Sequence, residues 1–250
     1  MGDKMRLMVT GVAAAGVLAV TVSGHSLWSM FDDDRDPSPA QAVPLSQLRD
    51  FDGITLQGPD AVVVTSGPQF SIKTEGNPEA LKYLTLSVHN GVLRVGRRQR
   101  NGWWGASGDP VTVHVTMPGL SRVWITGSGD VTVDKVGSKE FSSRLDGSGG
   151  LTVGAIASNA VRLSLNGSGH MDLDGTARDV SISLVGSGEV SADGLTAQTA
   201  DISVAGSGEI VAHAANNAKL TLNGSGHAQV AGTNRCEIHK AGSGEAECTS

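Results

Sequence analysis

A series of titratable residues recurs through the second half of the chain at a nearly fixed interval. Asp130, His170, Glu189, Glu209, His227 and Glu245, with Gly150 as the one gap, each follow a Gly-Ser-Gly tripeptide. Carboxylates and imidazoles at such spacing could share protons or hold a metal ion if they stacked at the strand separation of about 4.8 Å. Glu189 above Glu209 would repel without such a partner, and pairs such as His170 with Glu189 or Glu209 with His227 could bind a metal weakly. His170 and His227 would stand three layers apart, roughly 14 Å at that rise, so one ion cannot bridge them. Two ligands without a third fall short of ordinary coordination, and the plainer reading is a solvated polar ladder. No metal or other cofactor is expected.

Nucleophilic chemistry fits no better. Asp146-Gly147-Ser148-Gly149-Gly150 superficially resembles a serine-hydrolase signature, but the residue order is wrong and Ser148 has six equivalents elsewhere in the chain. A catalytic serine needs one base and one orienting acid placed for it alone. The glycines also lack the spacing and the Lys-Ser/Thr of a phosphate-binding loop. No catalytic residue is assigned, and a non-enzymatic protein is expected.

A second grouping lies in the stretch RRQRNGWWGASGD, residues 97–109. Arg97, Arg98 and Arg100 beside Trp103 and Trp104, among glycines, could stack on sugar rings, sit at a lipid headgroup layer or anchor a protein partner. The alternative is a tryptophan folded back over the domain with solvated arginines. These five residues are the candidate contact site.

The elements that must position these groups are set by the tripeptide itself. Its first glycines are Gly127, Gly147, Gly167, Gly186, Gly206, Gly224 and Gly242, with steps of 20, 20, 19, 20, 18 and 18 residues. A fixed period of this length marks a structural repeat. Apolar residues alternate with polar ones on both sides of each tripeptide, as in Val161, Leu163, Leu165 before and Met171, Leu173 after. Period two belongs to strands, so each repeat reads as strand, corner, strand. Stacked in register, the apolar residues merge into one column. The fold expected is all-β, a right-handed parallel β-helix-like solenoid. Glycines at such corners supply positive φ or make room where another corner packs directly above. The serines Ser128, Ser148, Ser168, Ser187, Ser207, Ser225 and Ser243 would form a ladder of small hydroxyls.

Composition agrees with narrow coils. Aromatic residues make up 4% of the 250, glycines number 34, and the formal charge of −6 argues against a general nucleic-acid binder. Lys4 and Arg6 precede an apolar run from Leu7 to Val22, which reads as a signal peptide, or as a signal anchor if counted through to Phe31. Residues 1–31 are assigned that role, 32–43 (DDDRDPSPAQAV) a linker, and 44–250 the domain, exported to the periplasm or cell surface. Any contact with a membrane is expected only through the N-terminal segment. Cys236 and Cys248 lie six residues either side of Gly242, in slots filled elsewhere by apolar inward residues. In an exported chain they are expected to form a disulfide that staples the terminal coil, with two buried thiols as the alternative. Lys240 falls in an apolar slot of the last coil, which suits an end that must not continue the stack.

Residues 44–120 are β-like but less regular, with turns at Gly53, Gly58, Gly67 and Gly76, one helical turn in 77–83 and a hairpin through Asn90-Gly91. Residues 121–250 form the regular coils. The run RDFDGITLQG, the later NGVLRV, the segment VTVHVTMPGLSRVWITGSGDVTV and the serial Gly-Ser-Gly corners resemble the family of auto-transporter adhesin head GIN domains, over roughly residues 44–250. That resemblance implies an exported, β-helical bacterial envelope domain and supplies no catalytic residues. The function expected is a binding or scaffolding domain, adhesin-like, whose partner is an envelope glycan or protein. Two alternatives stand beside it: a polysaccharide-processing β-helix enzyme and an extracytoplasmic sensory partner domain.

Overall fold

The computed structural model describes residues 44–98 and 109–250. The segment 1–31, the linker and most of the tryptophan loop lie outside them. The described residues form a parallel β-solenoid, as the repeat requires. Its regular part begins with β7 (Arg122–Gly127), which turns through Gly-Ser-Gly into β8 (Asp130–Val133). β9 (Glu140–Gly147) lies on β7 and leads through the next corner into β10 (Gly150–Gly167), whose first residues lie on β8.

From there each strand runs from one corner to the next: β11 (His170–Gly186), β12 (Glu189–Gly206) and β13 (Glu209–Gly224). Their pairing is parallel, with register shifts such as that between Val153 and Ile156, where the chain bends from the face after one corner to the face before the next. The last layer is β14 (His227–Ala231), β15 (Cys236–Ala241) and β16 (Glu245–Thr249), with β14 and β15 paired to β13 and β16 to β14.

The two glycines of each corner do different work. The first adopts positive φ, from 115° at Gly127 to 141° at Gly147, a region that L side chains rarely enter. The second has no such φ, but a Cβ on Gly149 would collide with the carbonyl oxygen of Gly129 in the layer before. That closeness has a bonding reason. Ser148 N donates to Gly127 O at 2.9 Å, Ser168 N to Gly147 O at 3.0 Å and Ser187 N to Gly167 O at 3.0 Å, so corners are hydrogen-bonded to corners. Backbone groups that a sharp turn would otherwise leave unpaired are satisfied in this way.

With the corners pinned, the alternation of side chains places one set inside. Leu56, Ile125, Leu145, Leu165, Leu184, Val204 and Leu222 align as a column that is wholly buried. A parallel column is interrupted once, where Ser143 stands between Val123 and Leu163 with its hydroxyl buried and unpartnered.

The N-terminal part joins this stack out of chain order. β1 (Gly53–Gln57) and β2 (Ala61–Ser66) form a layer directly beneath β7 and β8. The chain then reverses through β3 (Ser71–Glu75), a short helix α1 (Pro78–Leu81) and β4 (Leu84–His89) before β5 (Val92–Arg97) and β6 (Thr112–Met117) supply the next layer down. β3 and β4 pair antiparallel to β6 and β5 and so cap the parallel stack. The expected helical turn is α1, with Asn77 Oδ1 accepting from Glu79 N at 2.9 Å. The expected hairpin turns through Asn90 and Gly91, both at positive φ.

At the other end Cys236 and Cys248, twelve residues apart, are joined by the expected disulfide. Lys240 aligns with Leu222 and is exposed, as the end of a stack requires.

Replacing Gly167 by Ala should therefore lower stability by at least about 1–3 kcal/mol through its φ alone, before the contact with Gly147 is counted. The same exchange at Gly137, which has open space around it, should stay within about 0.5 kcal/mol. Urea midpoints of the two variants make the comparison.

Candidate functional site

The stretch that carries the tryptophans connects β5 to β6 at the level of a corner. Gly58-Pro59-Asp60 lies beneath Gly127-Ser128-Gly129, since a Cβ on Gly127 would meet Gly58 and one on Gly129 would meet Asp60 O. In the next layer down the short corner is replaced by residues 98–110, leaving from the end of β5 and returning to β6. Asp60, where the repeat has its second glycine, fills the gap this creates.

Its carboxylate is completely buried and accepts from Arg97 Nε at 2.9 Å, from Arg97 Nη2 and from Val111 N at 2.9 Å. Arg97 Nη2 also donates to Asp109 O at 2.6 Å. One buried ion pair thus ties the departing strand, the returning strand and the adjacent corner together. Asn77 Nδ2 donates to Asp109 Oδ2 at 2.9 Å, and Arg98 N to Tyr83 O at 2.8 Å, which hold the same two feet from the cap.

This corrects the placement of Arg97. Its register puts the side chain into the corner rather than on the loop surface, so it is a structural cation and not an exposed contact. Arg98 is exposed. Arg100, Trp103 and Trp104 lie outside the described residues.

The titratable ladder does come into register: Asp130, Gly150, His170, Glu189, Glu209, His227 and Glu245 occupy equivalent positions in successive layers. Among the described residues no three His, Cys, Asp or Glu side chains converge on a point that could hold a metal ion.

A third cluster lies on the outer side of the face that precedes the corners. Trp124 is half exposed, and its Nε1 donates to Asp146 Oδ2 at 3.2 Å. The same carboxylate accepts from Arg144 Nε at 2.6 Å and from Asn166 Nδ2 at 2.8 Å, while the Arg144 guanidinium lies 5.8 Å from the indole centre. Cation and ring attract at that distance. Arg144, hydrogen-bonded to it, holds the Asp146 carboxyl below the ordinary aspartate value, with Asn166 and Trp124 adding to the effect.

Comparison with known proteins places this architecture. The model of the family described as "Putative auto-transporter adhesin, head GIN domain" matches residues 50–234. The chain belongs to that family. No curated protein matches it.

Among solved structures, a "putative adhesin" of Bacteroides fragilis NCTC 9343 superposes with a TM-score of 0.75 at 18% identity, over 81% of this chain and 93% of that one. A "putative lipid binding protein" of Parabacteroides distasonis ATCC 8503 gives 0.66 at 20% identity, over 83% and 94%. A "putative adhesin" of Parabacteroides merdae ATCC 43184 gives 0.61 at 19%, over 81% and 92%. At these identities the likeness establishes the fold that the GIN domain shares with them.

Two features of this GIN domain are not marked in its sequence. Asp60 is hidden because Gly58-Pro59-Asp60 does not look like Gly-Ser-Gly, although it occupies the same corner. Trp124, Arg144 and Ser164 each stand three residues before a first glycine, so counting outward-facing slots would have aligned the tryptophan with the arginine.

Asp60→Ala leaves a buried guanidinium without its carboxylate and should cost about 3–5 kcal/mol, read as a lowered urea midpoint. The double variant Asp60→Ala, Arg97→Met should recover part of that loss. The lowered Asp146 pKa has a definite sign: its contribution is present above the unfolded-state value near 3.8 and is lost as pH falls through the lower folded value. Tryptophan fluorescence should accordingly change below pH 3.8 in the wild type, and that component should vanish in Trp124→Phe.

Proposed function

We propose that this GIN domain is a non-enzymatic binding or scaffolding module of the bacterial cell envelope, exported and adhesin-like. The loop bearing Arg98, Arg100, Trp103 and Trp104 is its contact with an envelope glycan or protein. The observation that carries this reading is the buried Asp60–Arg97 pair. A solenoid corner closes with three small residues, whereas this one is opened by a long insertion whose two feet are held by a desolvated ion pair. Burying two charges is expensive unless geometry and further hydrogen bonds compensate, so such a device supports a loop whose position matters. Export is supported by the disulfide between Cys236 and Cys248, which persists in oxidising compartments, and by the family's description as an adhesin head. The printed description of the Bacteroides fragilis neighbour as an adhesin points the same way.

The test is a pull-down from envelope extract with the wild-type chain and with Trp103→Ala, Trp104→Ala, both checked for folding by circular dichroism. Capture by the wild type that falls at least tenfold in the double variant is the expected result. Equal capture by both would remove the loop as the contact.

A further inference from the structure

We propose that the outer face preceding the corners carries a groove for a linear, uncharged polysaccharide, with Trp124 as the platform on which a sugar ring stacks. The groove shares no residue with the tryptophan loop and is a separate surface.

The first observation is the indole itself. An exposed tryptophan ordinarily samples several rotamers, but here the ring nitrogen is tied to Asp146, and that carboxylate is in turn held by Arg144 and Asn166. The ring is fixed in place while nearly half of the residue remains in solvent. A flat apolar surface that has already lost its rotamer freedom binds a planar apolar partner at low entropic cost. The C–H face of a pyranose is such a partner, and its hydroxyls find the fixed Asp146 and Arg144 at the ring's edge.

The second observation is shape. Trp124 borders a hollow of about 300 Å³ that reaches from Val92 to Ser181. A second hollow of about 440 Å³ continues from Arg162 and Ser181 to Glu237. Together they run along the stack from β5 to β15, eight strand separations or roughly 38 Å. Ser142, Ser164 and Ser181 keep the floor low, so an extended chain can lie close to the sheet. A trough this long and open suits a polymer, and it does not enclose an acyl chain.

The third observation is charge. Arg122 is paired with Asp52 at 2.6 Å, Arg144 with Asp146 at 2.6 Å and Arg162 with Glu140 at 3.3 Å, and farther along Lys219 stands between Asp201 and Glu237 in the ladder. Each arginine along the first hollow is thus offset by a carboxylate beside it, and the second hollow sets Asp179, Asp201 and Glu237 against Arg162 and Lys219. A polyanion would meet the carboxylates and a polycation the arginines. A neutral, hydroxyl-rich chain meets donors and acceptors side by side, each already oriented by its partner.

The test is native affinity electrophoresis of the full chain in gels containing hydroxyethyl cellulose, laminarin, mannan or dextran, with alginate as the polyanionic comparison. At least one neutral polymer should retard the wild type. Trp124→Ala should weaken that apparent affinity at least tenfold without lowering the thermal midpoint by more than a few degrees. Ser164→Arg keeps the indole but fills the floor, and should weaken binding similarly. Retardation by alginate alone, by none of the neutral polymers, or undiminished in both variants would overturn the groove. So would a loss confined to Trp103→Ala, Trp104→Ala, which would return the glycan to the loop.

Discussion

The contact on which this fold depends is the seat of one glycine corner on the carbonyl of the corner before it. At Gly147, Gly167, Gly186, Gly206, Gly224 and Gly242 a Cβ would collide with the carbonyl oxygen of the preceding first glycine. Because the serine N–H that follows, or Gly244 N–H at the last corner, bonds to that same carbonyl, the spacing is fixed by hydrogen-bond length rather than by side-chain bulk. Everything lateral follows from it. A pinned corner sets the register of the strand on each side, and register decides which residues enter the core, since a slip of one would turn every Leu and Val outward.

The same constraint explains why the departure at the N-terminal end is handled with charge. Where Gly58-Pro59-Asp60 replaces Gly-Ser-Gly and the layer below opens into residues 98–110, the corner-to-corner bonds are no longer available for the chain that leaves and returns. Apolar side chains could fill the space, but they could not satisfy Val111 N and Asp109 O, both of which bond to the Asp60–Arg97 pair. A carboxylate and a guanidinium supply directional partners to the end of β5, to the chain returning to β6 and to the corner between β1 and β2 at once. Their burial makes the arrangement all-or-none: with either partner missing, the other is left unsatisfied in the corner.

How much of this was legible in the sequence follows from which signals repeat. The glycines, the alternating Val and Leu, the hairpin at Asn90-Gly91 and the cysteine pair are each local or periodic, and their physical reasons can be read one residue at a time. The stacking order of the first layers could not be read so. That β1 and β2 would lie between the layer of β5 and β6 and that of β7 and β8 depends on a chain reversal through β3, α1 and β4, and residues 44–120 contain no repeat to align. The place of Arg97 is hidden for a related reason. Beside Arg98 and Arg100 it looks like one of three loop cations, and only its pairing one layer from Asp60 shows that its side chain belongs to the corner.

A scaffold this regular confines individuality to its outward slots and its interruptions. Three residues before each first glycine the ladder reads Thr55, Trp124, Arg144, Ser164, Ser183, Ser203, Thr221 and His239. Small hydroxyls dominate, as expected where nothing but water must be met. Large side chains at two successive layers, locked to a shared carboxylate, are not required by the stack, whose core beneath them is Val123 and Ile125 on one layer and Ser143 and Leu145 on the next. The titratable ladder on the other face shows the opposite behaviour: its members change freely between Asp, Gly, His and Glu from layer to layer, as solvated positions do. The corner architecture therefore explains the conformation of both faces but the residues of only one, and the residues it leaves unexplained are those around Trp124.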